Sequence, residues 1–276
     1  AYRYPVPRHR AVQGQMNVTF RSWGEGLASS RYRAIIPAQQ MHKLGVKQGN
    51  EWLVIGKHGW DWDKQTAGYE KVCFDICDDH FDKSDGEHYR KGINRADLVT
   101  CNSDEMARVI KERTGRDSIV IPDPYEQPEK PPRVHDRLLW FGHQTNLVDV
   151  LPWVDSLRNL EIVSGAKVNG ITQWSPEAME QAFERAGLVI IPTGKSMAKS
   201  GNRAIESIRR GLFVVAGYLP AYGDLGIYSG NITDGVQWAL SHQDEVIRRI
   251  KASQSYIREE YSPERIAVLW KQALFG

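Results

Sequence analysis

The chain has 276 residues, of which 41% are hydrophobic and 25% are charged, and its formal net charge is +2. This composition is that of an ordinary globular protein, and so small a net charge gives no argument for nucleic-acid binding. No apolar segment approaches the ~20 residues of a membrane span and no signal peptide is visible. With three cysteines that cannot all pair, we expect reduced thiols and a cytoplasmic protein.

The first half of the chain alternates apolar runs with helical patterns. Helices are predicted at about 30–44, 86–93 and 104–114. Strands are predicted at 17–21, 51–55, 71–77, 97–101 and 118–122. Strands that alternate with helices imply a parallel, doubly wound sheet.

The second half repeats this alternation after a Pro-rich, charged segment at 125–132, which is the best candidate for a linker. Strands are predicted at 137–141, 160–163, 187–192 and 212–216. Helices are predicted at about 148–158, 176–186, 232–241, 244–260 and 263–274. The fold class is therefore α/β with two Rossmann-like domains, at 1–128 and 133–261, because the length exceeds that of a usual single domain.

The most informative segment is 195–206, which lies between two apolar runs that read as buried strands. It is a loop with two lysines and a small Ser-Gly pair, followed by a helix with Asn202 and Arg203 in its first turn. Backbone N–H groups at a helix start, the helix dipole and ammonium groups all favour an anion there. Glu206 lies one turn beyond Asn202, where its carboxylate could accept both hydroxyls of a ribose. The segment predicts binding of a nucleotide diphosphate.

Two such domains leave a cleft between the carboxyl edges of their sheets, which is where open parallel sheets bind ligands. Polar clusters follow the predicted strands at this edge, at 22–33, 57–63, 78–80, 142–146 and 193–206. The agreement of these clusters with the expected cleft places the candidate site between the two domains.

The order of the elements, the loop before 29–33 and the segment 199–206 with Gly211 resemble glycosyltransferases of the GT-B fold. The similarity is above all to the large retaining group called family 4 or group 1, of which this would be a short, divergent member. Residues 261–270 resemble the terminal helix of that fold, which crosses back, so 262–276 is expected to join the first domain. The resemblance implies an acceptor domain at 1–128 and a nucleotide-sugar donor domain at 133–261.

The resemblance implies roles for residues of the second domain. Glu206 matches the second glutamate of a paired-glutamate motif that binds the ribose, whereas the first would stand at Ala198 and is absent. Lys199, Asn202 and Arg203 instead resemble a variant in which a lysine meets the diphosphate and the asparagine helps hold the sugar or phosphate. The implied donor-binding residues are Gly142, His143, Thr193, Lys195, Lys199, Ser200, Gly201, Asn202, Arg203 and Glu206.

In the first domain, His80 resembles the histidine that touches the donor sugar near the reacting carbon. The implied catalytic residues are His80, Asp79 and Lys199. Gly24 resembles part of a flexible glycine loop, and indole faces such as that of Trp60 stack on sugars or bases. Contact with the acceptor or a phosphate is assigned to Gly24, Arg31, Arg33, His58 and Trp60.

Purely structural explanations stay open for these residues. Lys199 and Arg203 stand four apart and could form a solvated helix face, and Glu206 could pair with Arg203 or Arg210. Arg31 and Arg33 could pair with the acidic residues 78–79. A structural role is also open for His80 as a loop histidine, for Asp79 as a helix cap, and for His58 and Trp60 as half-buried loop residues.

The resemblance implies a glycosyltransferase, specifically a hexosyltransferase, that moves a sugar from a UDP- or GDP-linked donor to an acceptor hydroxyl. UDP-sugar is favoured, and the resemblance implies retention of configuration, no essential metal and no further cofactor. An epimerase or an NAD-dependent oxidoreductase is weakened because no G-x-G-x-x-G follows a predicted strand. A catalytically inactive nucleotide-binding module stays open because the first glutamate is missing. The acceptor could be a glycan, a protein, a lipid-linked glycan or a modified DNA base.

Overall fold

The computed structural model describes residues 16–24, 26–56, 61–192, 194 and 196–276. These residues form two β-sheets in which every paired strand is parallel, with helices packed on them. The predicted α/β class with two Rossmann-like sheets is therefore confirmed. Within the described ranges, no helix is both long and apolar enough to cross a membrane.

The first sheet contains five strands that lie in chain order. The strands are β1 (Asn17–Phe20), β2 (Lys47–Ile55), β3 (Lys71–Ile76), β4 (Leu98–Cys101) and β5 (Ile119–Val120). The helices are α1 (Ala28–Ser30), α2 (Ile36–Lys43), α3 (Trp62–Thr66), α4 (Gly86–Arg95) and α5 (Asp104–Thr114). The order of these described strands does not reverse, and helices pack on both faces of the sheet, with α4 and α5 in one hydrophobic cluster and α2 in another.

The second sheet contains six strands in the order β11-β10-β9-β6-β7-β8. The strands are β6 (Leu138–Gly142), β7 (Leu160–Ser164), β8 (Thr172–Gln173), β9 (Leu188–Ile191), β10 (Phe213–Ala216) and β11 (Tyr228–Ser229). The helices are α6 (Leu147–Val150), α7 (Pro176–Arg185), α8 (Asn202–Arg209), α9 (Ile232–Ser241), α10 (Gln243–Glu260) and α11 (Pro263–Phe275). The chain moves outward from β6 to β8 and then returns to place β9 on the other side of β6. This reversal is the kind of switch point at which parallel sheets bind ligands.

Prolines explain two differences from the predicted helices. The helix predicted at 148–158 is replaced by α6 and a short 3₁₀ helix, Leu151–Trp153, because Pro152 has no N–H to continue an α-helix. The helix predicted at 30–44 is present but contains a π-helical turn, Arg31–Ile35, just ahead of Pro37. Pro37 cannot donate the hydrogen bond that an α-helix would require of its backbone nitrogen.

The helix α11 packs on the first sheet although it follows the second sheet in the chain. Ile266, Trp270 and Leu274 on α11 lie in one hydrophobic cluster with Val18, Met41, Val46, Trp52 and Val54. Trp270 has no exposed surface. The terminal helix thus crosses back to the first domain, as the resemblance implied.

The Ser262→Ala variant is expected to lower the free energy of unfolding by about 1 kcal/mol, or the melting temperature by about 2–4 °C. Ser262 caps α11 because its Oγ accepts a hydrogen bond from the Arg265 backbone N–H at 3.3 Å. Thermal melting followed by circular dichroism measures the change. Ser255→Ala inside α10 is the matched control and should be neutral or slightly stabilising, because alanine has the higher helix propensity. Equal melting temperatures for Ser262→Ala and the wild type would contradict this role.

Candidate functional site

The switch point of the second sheet brings the carboxyl ends of β6 and β9 beside the amino end of α8. Gly201 occupies the N-cap position of α8, and no side chain in the described part of the chain caps its first turn. By contrast, Ser103 caps α5 and Ser175 caps α7. The first-turn N–H groups of α8 therefore keep the partial positive charge that attracts an anion.

Lys199 and Arg203 bring two cations to this helix end. Lys199 Nζ donates to Asn146 Oδ1 at 3.4 Å, and Arg203 Nη1 donates to the Phe141 carbonyl at 3.3 Å. Neither side chain forms an ion pair with any residue that the structure describes. Burial lowers the pKa of both groups, and the charge of Arg203 lowers the pKa of Lys199 further. Both cations are half-buried, so they differ from a solvated helix face, and a bound anion would relieve their repulsion.

Glu206 carries an unsatisfied oxygen in the same region. Its Oε1 accepts a hydrogen bond from Arg210 Nε at 2.8 Å, which is one of the pairings considered from the sequence. Its Oε2 is buried and has no hydrogen-bond partner among the described residues. Burial raises the pKa of Glu206, although the hydrogen bond from Arg210 opposes the shift. A buried oxygen without a donor is costly, and a ligand hydroxyl would satisfy it.

Two glycines of this region lie close to neighbouring groups, and Gly142 keeps the space beside Arg203 open. A Cβ on Gly142 would lie 3.1 Å from the Trp140 ring and 3.4 Å from Arg203 Nη1. A Cβ on Gly201 would lie 3.1 Å from the Ala221 carbonyl oxygen. Any larger residue at Gly142 would therefore occupy space beside the Arg203 guanidinium.

Two other predicted donor-binding residues, His143 and Ser200, follow β6 and precede α8, whereas Thr193 and Lys195 lie outside the described part of the chain. His143 is exposed, and its Nδ1 accepts a hydrogen bond from the Thr145 backbone N–H at 3.3 Å. Ser200 is half-buried beside Gly201. Four predicted site residues fall outside the described residues: Thr193, Lys195, His58 and Trp60.

Ala198 is buried in the first domain although it belongs to the loop before α8. It is 2% exposed and lies in one hydrophobic cluster with Phe74, Phe81 and Tyr89 of the first domain. The position at which the paired-glutamate motif has its first glutamate therefore forms an apolar contact between the two domains.

His80 is held by a carboxylate that the sequence analysis did not identify. Its Nδ1 lies 2.7 Å from Asp85 Oδ2, and its ring stacks on Tyr89 with the centroids 5.0 Å apart. Burial acts to raise the pKa of Asp85, but the hydrogen bond and the charge of His80 outweigh it and lower that pKa. The other ring nitrogen, Nε2, makes no hydrogen bond to a described residue, so it can face a ligand. The Asp79 side chain accepts a hydrogen bond from the Phe81 backbone N–H at 3.1 Å. This bond is typical of a residue that shapes a loop.

The predicted acceptor or phosphate contacts differ in their surroundings. Gly24 is exposed, with a φ of 138° that favours glycine. Arg31 binds both oxygens of Glu126, at 2.6 and 3.0 Å. Arg33 is only 1% exposed and is bound to Asp75 and Asp123. A phosphate contact by Arg33 would require these buried bonds to break.

One cavity in the second domain lies elsewhere and does not mark this site. It has a volume of about 460 Å³ and is lined by residues including Asp136, Asn159 and Arg185. It opens at the amino ends of β6 and β7, whereas parallel sheets bind ligands at the carboxyl ends of their strands. Across the described ranges, no group of three or more His, Cys, Asp or Glu side chains is placed to hold a metal ion.

Sequence reasoning assigned no role to three residues that hold site side chains: Asp85, Asp123 and Asn146. Asn146 falls within the polar cluster at 142–146, and Asp123 directly follows a predicted strand, so the rule that polar residues after strands matter could have found both. Asp85 precedes α4 and gave no signal beyond that of an ordinary helix start.

No protein-family model matches the sequence, and no curated protein matches it. Among solved structures, HepE from Anabaena in complex with UDP-glucose has a TM-score of 0.68 at 12% identity, over 92% of this chain and 97% of HepE. TarM has a TM-score of 0.61 at 12% identity, over 89% of this chain, and the chain spans only 59% of TarM. An alpha-glucosyltransferase in complex with UDP and a 13-mer DNA containing an HMU base has a TM-score of 0.52 at 10% identity, over 95% of this chain and all of that chain. These neighbours are GT-B glycosyltransferases, and the likeness shows that this chain has the GT-B fold.

Proposed function

We propose that the protein is a glycosyltransferase that moves a hexose from a UDP-sugar to an acceptor hydroxyl. The observation that carries the proposal is the pair of half-buried cations, Lys199 and Arg203, which lack a carboxylate partner among the described residues. They lie at the switch point of the second sheet, beside the uncapped start of α8. A diphosphate supplies the two negative charges that this arrangement favours. The fold of HepE, which was solved with UDP-glucose, supports the choice of a UDP-sugar.

Each part of the donor has a partner in this proposal. Glu206 Oε2 accepts from the ribose hydroxyls, and Lys199, Arg203 and the start of α8 hold the diphosphate. Gly142 leaves room for the phosphates to approach the backbone, and His80 faces the sugar. When the bond between the anomeric carbon and the diphosphate oxygen breaks, negative charge develops on that oxygen, and the fixed cations stabilise it.

The proposal includes the division of labour between the domains. Residues 1–128 with 262–276 form the acceptor domain, and 133–261 form the donor domain. Cys73, Cys77 and Cys101 are buried and form no disulfide bond with a described residue, which supports a cytoplasmic location because reduced thiols are typical of reducing compartments.

The direct test is donor cleavage by the purified chain. We expect slow release of UDP from UDP-glucose in water, and faster release with a suitable acceptor. Unchanged turnover in excess EDTA would support metal independence. Proton NMR of the first glucose formed would show the α anomer if configuration is retained. Tight UDP binding without turnover across all acceptors would instead identify an inactive nucleotide-binding module.

The acceptor can be sought with a panel built from the classes that the sequence left open. One structural neighbour was solved with DNA containing an HMU base, so such DNA belongs in the panel beside glycans, protein and lipid-linked glycans. Transfer of labelled glucose from UDP-glucose to one class and not to the others would identify the acceptor. Unmodified DNA of the same sequence is the matched control for the DNA arm.

The Asp85→Asn variant is expected to lower kcat about fivefold with little change in the UDP dissociation constant. Asp85 holds His80 Nδ1 and thereby orients Nε2, and an amide does not impose the same tautomer. Rates at saturating UDP-glucose and calorimetry with UDP measure the two quantities. Asp82→Asn is the control, because Asp82 is exposed and pairs only with Arg113 among described residues. A normal kcat for Asp85→Asn would remove Asp85 from the site.

A further inference from the structure

A series of hydrogen-bonded polar side chains, three of them buried, runs from the first sheet to the first residue of α8. Arg33 donates to both oxygens of Asp75 on β3, from Nε at 2.9 Å and from Nη2 at 2.6 Å. Its Nη1 donates to Asp123 Oδ1 at 3.0 Å. Asp123 Oδ2 in turn accepts a hydrogen bond from Asn202 Nδ2 at 2.6 Å. These hydrogen bonds therefore join the sheet of one domain to α8, the phosphate-binding helix of the other.

Three of these four side chains are removed from solvent. Arg33, Asp75 and Asp123 are 1%, 2% and 4% exposed. One guanidinium is shared between two carboxylates, so the group carries one excess negative charge when both are ionised. Burial raises the pKa of Asp123, while Arg33 and Asn202 act to lower it. Because a buried carboxylate oxygen without a donor is costly, the second oxygen of Asp123 depends on the amide of Asn202.

The position of Asn202 determines where the two cations, Lys199 and Arg203, lie. It is the first residue of α8, directly before Arg203 and three residues after Lys199. Asp123, by contrast, follows β5 of the first sheet. The hydrogen bond between Asn202 and Asp123 therefore fixes the start of α8 relative to the first domain, which carries His80.

We propose that Asp123 is a positioning residue for sugar transfer: held by Arg33, it fixes Asn202 and thereby aligns the diphosphate-binding start of α8 with the first domain. The inference rests on the proposed function. It assigns Arg33 to the support of Asp123, and it assigns the Asn202 amide nitrogen to this bond instead of to the sugar or a phosphate. Loss of the bond should misplace the donor relative to His80 and the acceptor, while contacts made within the second domain still hold UDP.

The test compares Asn202→Ala, Asp123→Ala and the double variant for kcat with UDP-glucose and for UDP affinity by calorimetry. We expect each single variant to lower kcat about tenfold, with the UDP dissociation constant within twofold of the wild type. The double variant should be no worse than either single variant, because both remove one interaction. Asp123→Asn should recover kcat to within threefold of the wild type, since its amide can still bond to both Arg33 and Asn202 after the Asn202 amide turns. Asn50→Ala on the first domain is the control and should change neither quantity.

Several outcomes would overturn the inference. A tenfold loss of UDP affinity in Asn202→Ala would show that Asn202 contacts the nucleotide directly. Losses that multiply in the double variant would show that the two residues act independently. A kcat for Asp123→Asn as low as that of Asp123→Ala would show that charge matters and the hydrogen bond does not. If Asp123→Ala does not fold, Asn202→Ala still decides, because it leaves the Arg33 ion pairs intact. A wild-type chain that neither binds UDP nor cleaves UDP-glucose would instead contradict the proposed function.

Discussion

Replacing Lys199 or Arg203 by methionine is expected to lower kcat/KM for UDP-glucose about 100-fold without destabilising the free protein. A 100-fold loss corresponds to about 2.7 kcal/mol of transition-state stabilisation, which is typical for removal of one group that stabilises developing charge. The two effects separate because neither cation has a carboxylate partner among the described residues, and burial lowers the pKa of each. In the unliganded protein, burial of each cation costs free energy of folding, so its removal should not destabilise the fold.

Steady-state kinetics and thermal melting with and without UDP measure these two effects. Both variants should melt at or above the wild-type temperature when no ligand is present, and UDP should raise their melting temperatures much less than that of the wild type. Lys251→Met removes an exposed lysine of α10 and is the matched control. Variants that keep normal kcat/KM, or that lose stability in proportion to activity, would place these cations among structural residues.

The Glu206→Gln variant is expected to lower the affinity for UDP-glucose at least tenfold. Its Oε2 is buried without a described partner, so it is free to accept a ribose hydroxyl, and an amide keeps only one accepting oxygen. Because burial raises the pKa of Glu206, the carboxylate is protonated at a higher pH than that of an ordinary glutamate. The wild type should therefore lose affinity as the pH falls through that raised pKa, and the glutamine variant should not.

Calorimetry with UDP-glucose and its 2′-deoxyribose analogue tests the assignment to the ribose. The wild type should bind the deoxy donor more weakly than the natural donor, whereas Glu206→Gln should distinguish the two much less. Glu259→Gln, at an exposed position of α10, is the control. If Glu206→Gln and the wild type distinguished the natural donor from the deoxy donor equally well, Glu206 would not contact the ribose.

The main elements of the second domain could be predicted from the sequence because their signals are local. All four residues of β9 are buried, as its apolar run indicated, and α8 begins at Asn202, where the small residues and the charges of the loop placed a helix start. The prediction of a helix at 148–158 was wrong, although the signal against it was also local. Helical spacing was given more weight than Pro152.

The partners of the charged side chains could not be predicted in the same way. Arg33 is 42 residues from Asp75 and 90 from Asp123 along the chain. Asn202 is 79 residues from Asp123. No spacing pattern relates residues so far apart, and only the packing of two sheets brings them together. The contact of Ala198 with the first domain could not be predicted either, because the spacing of the motif shows only that a glutamate is absent at this position.

The burial of Ala198 has a consequence for how the two lobes could separate. The loop that would receive the diphosphate contributes this methyl group to the interior of the opposite lobe. Parting the lobes would expose the methyl group to water or pull the loop away from its own sheet. Opening of the two lobes for product exit and loosening of the phosphate contacts would thus occur together. The free-energy cost of exposing the apolar methyl group to water would favour the closed form between turnovers.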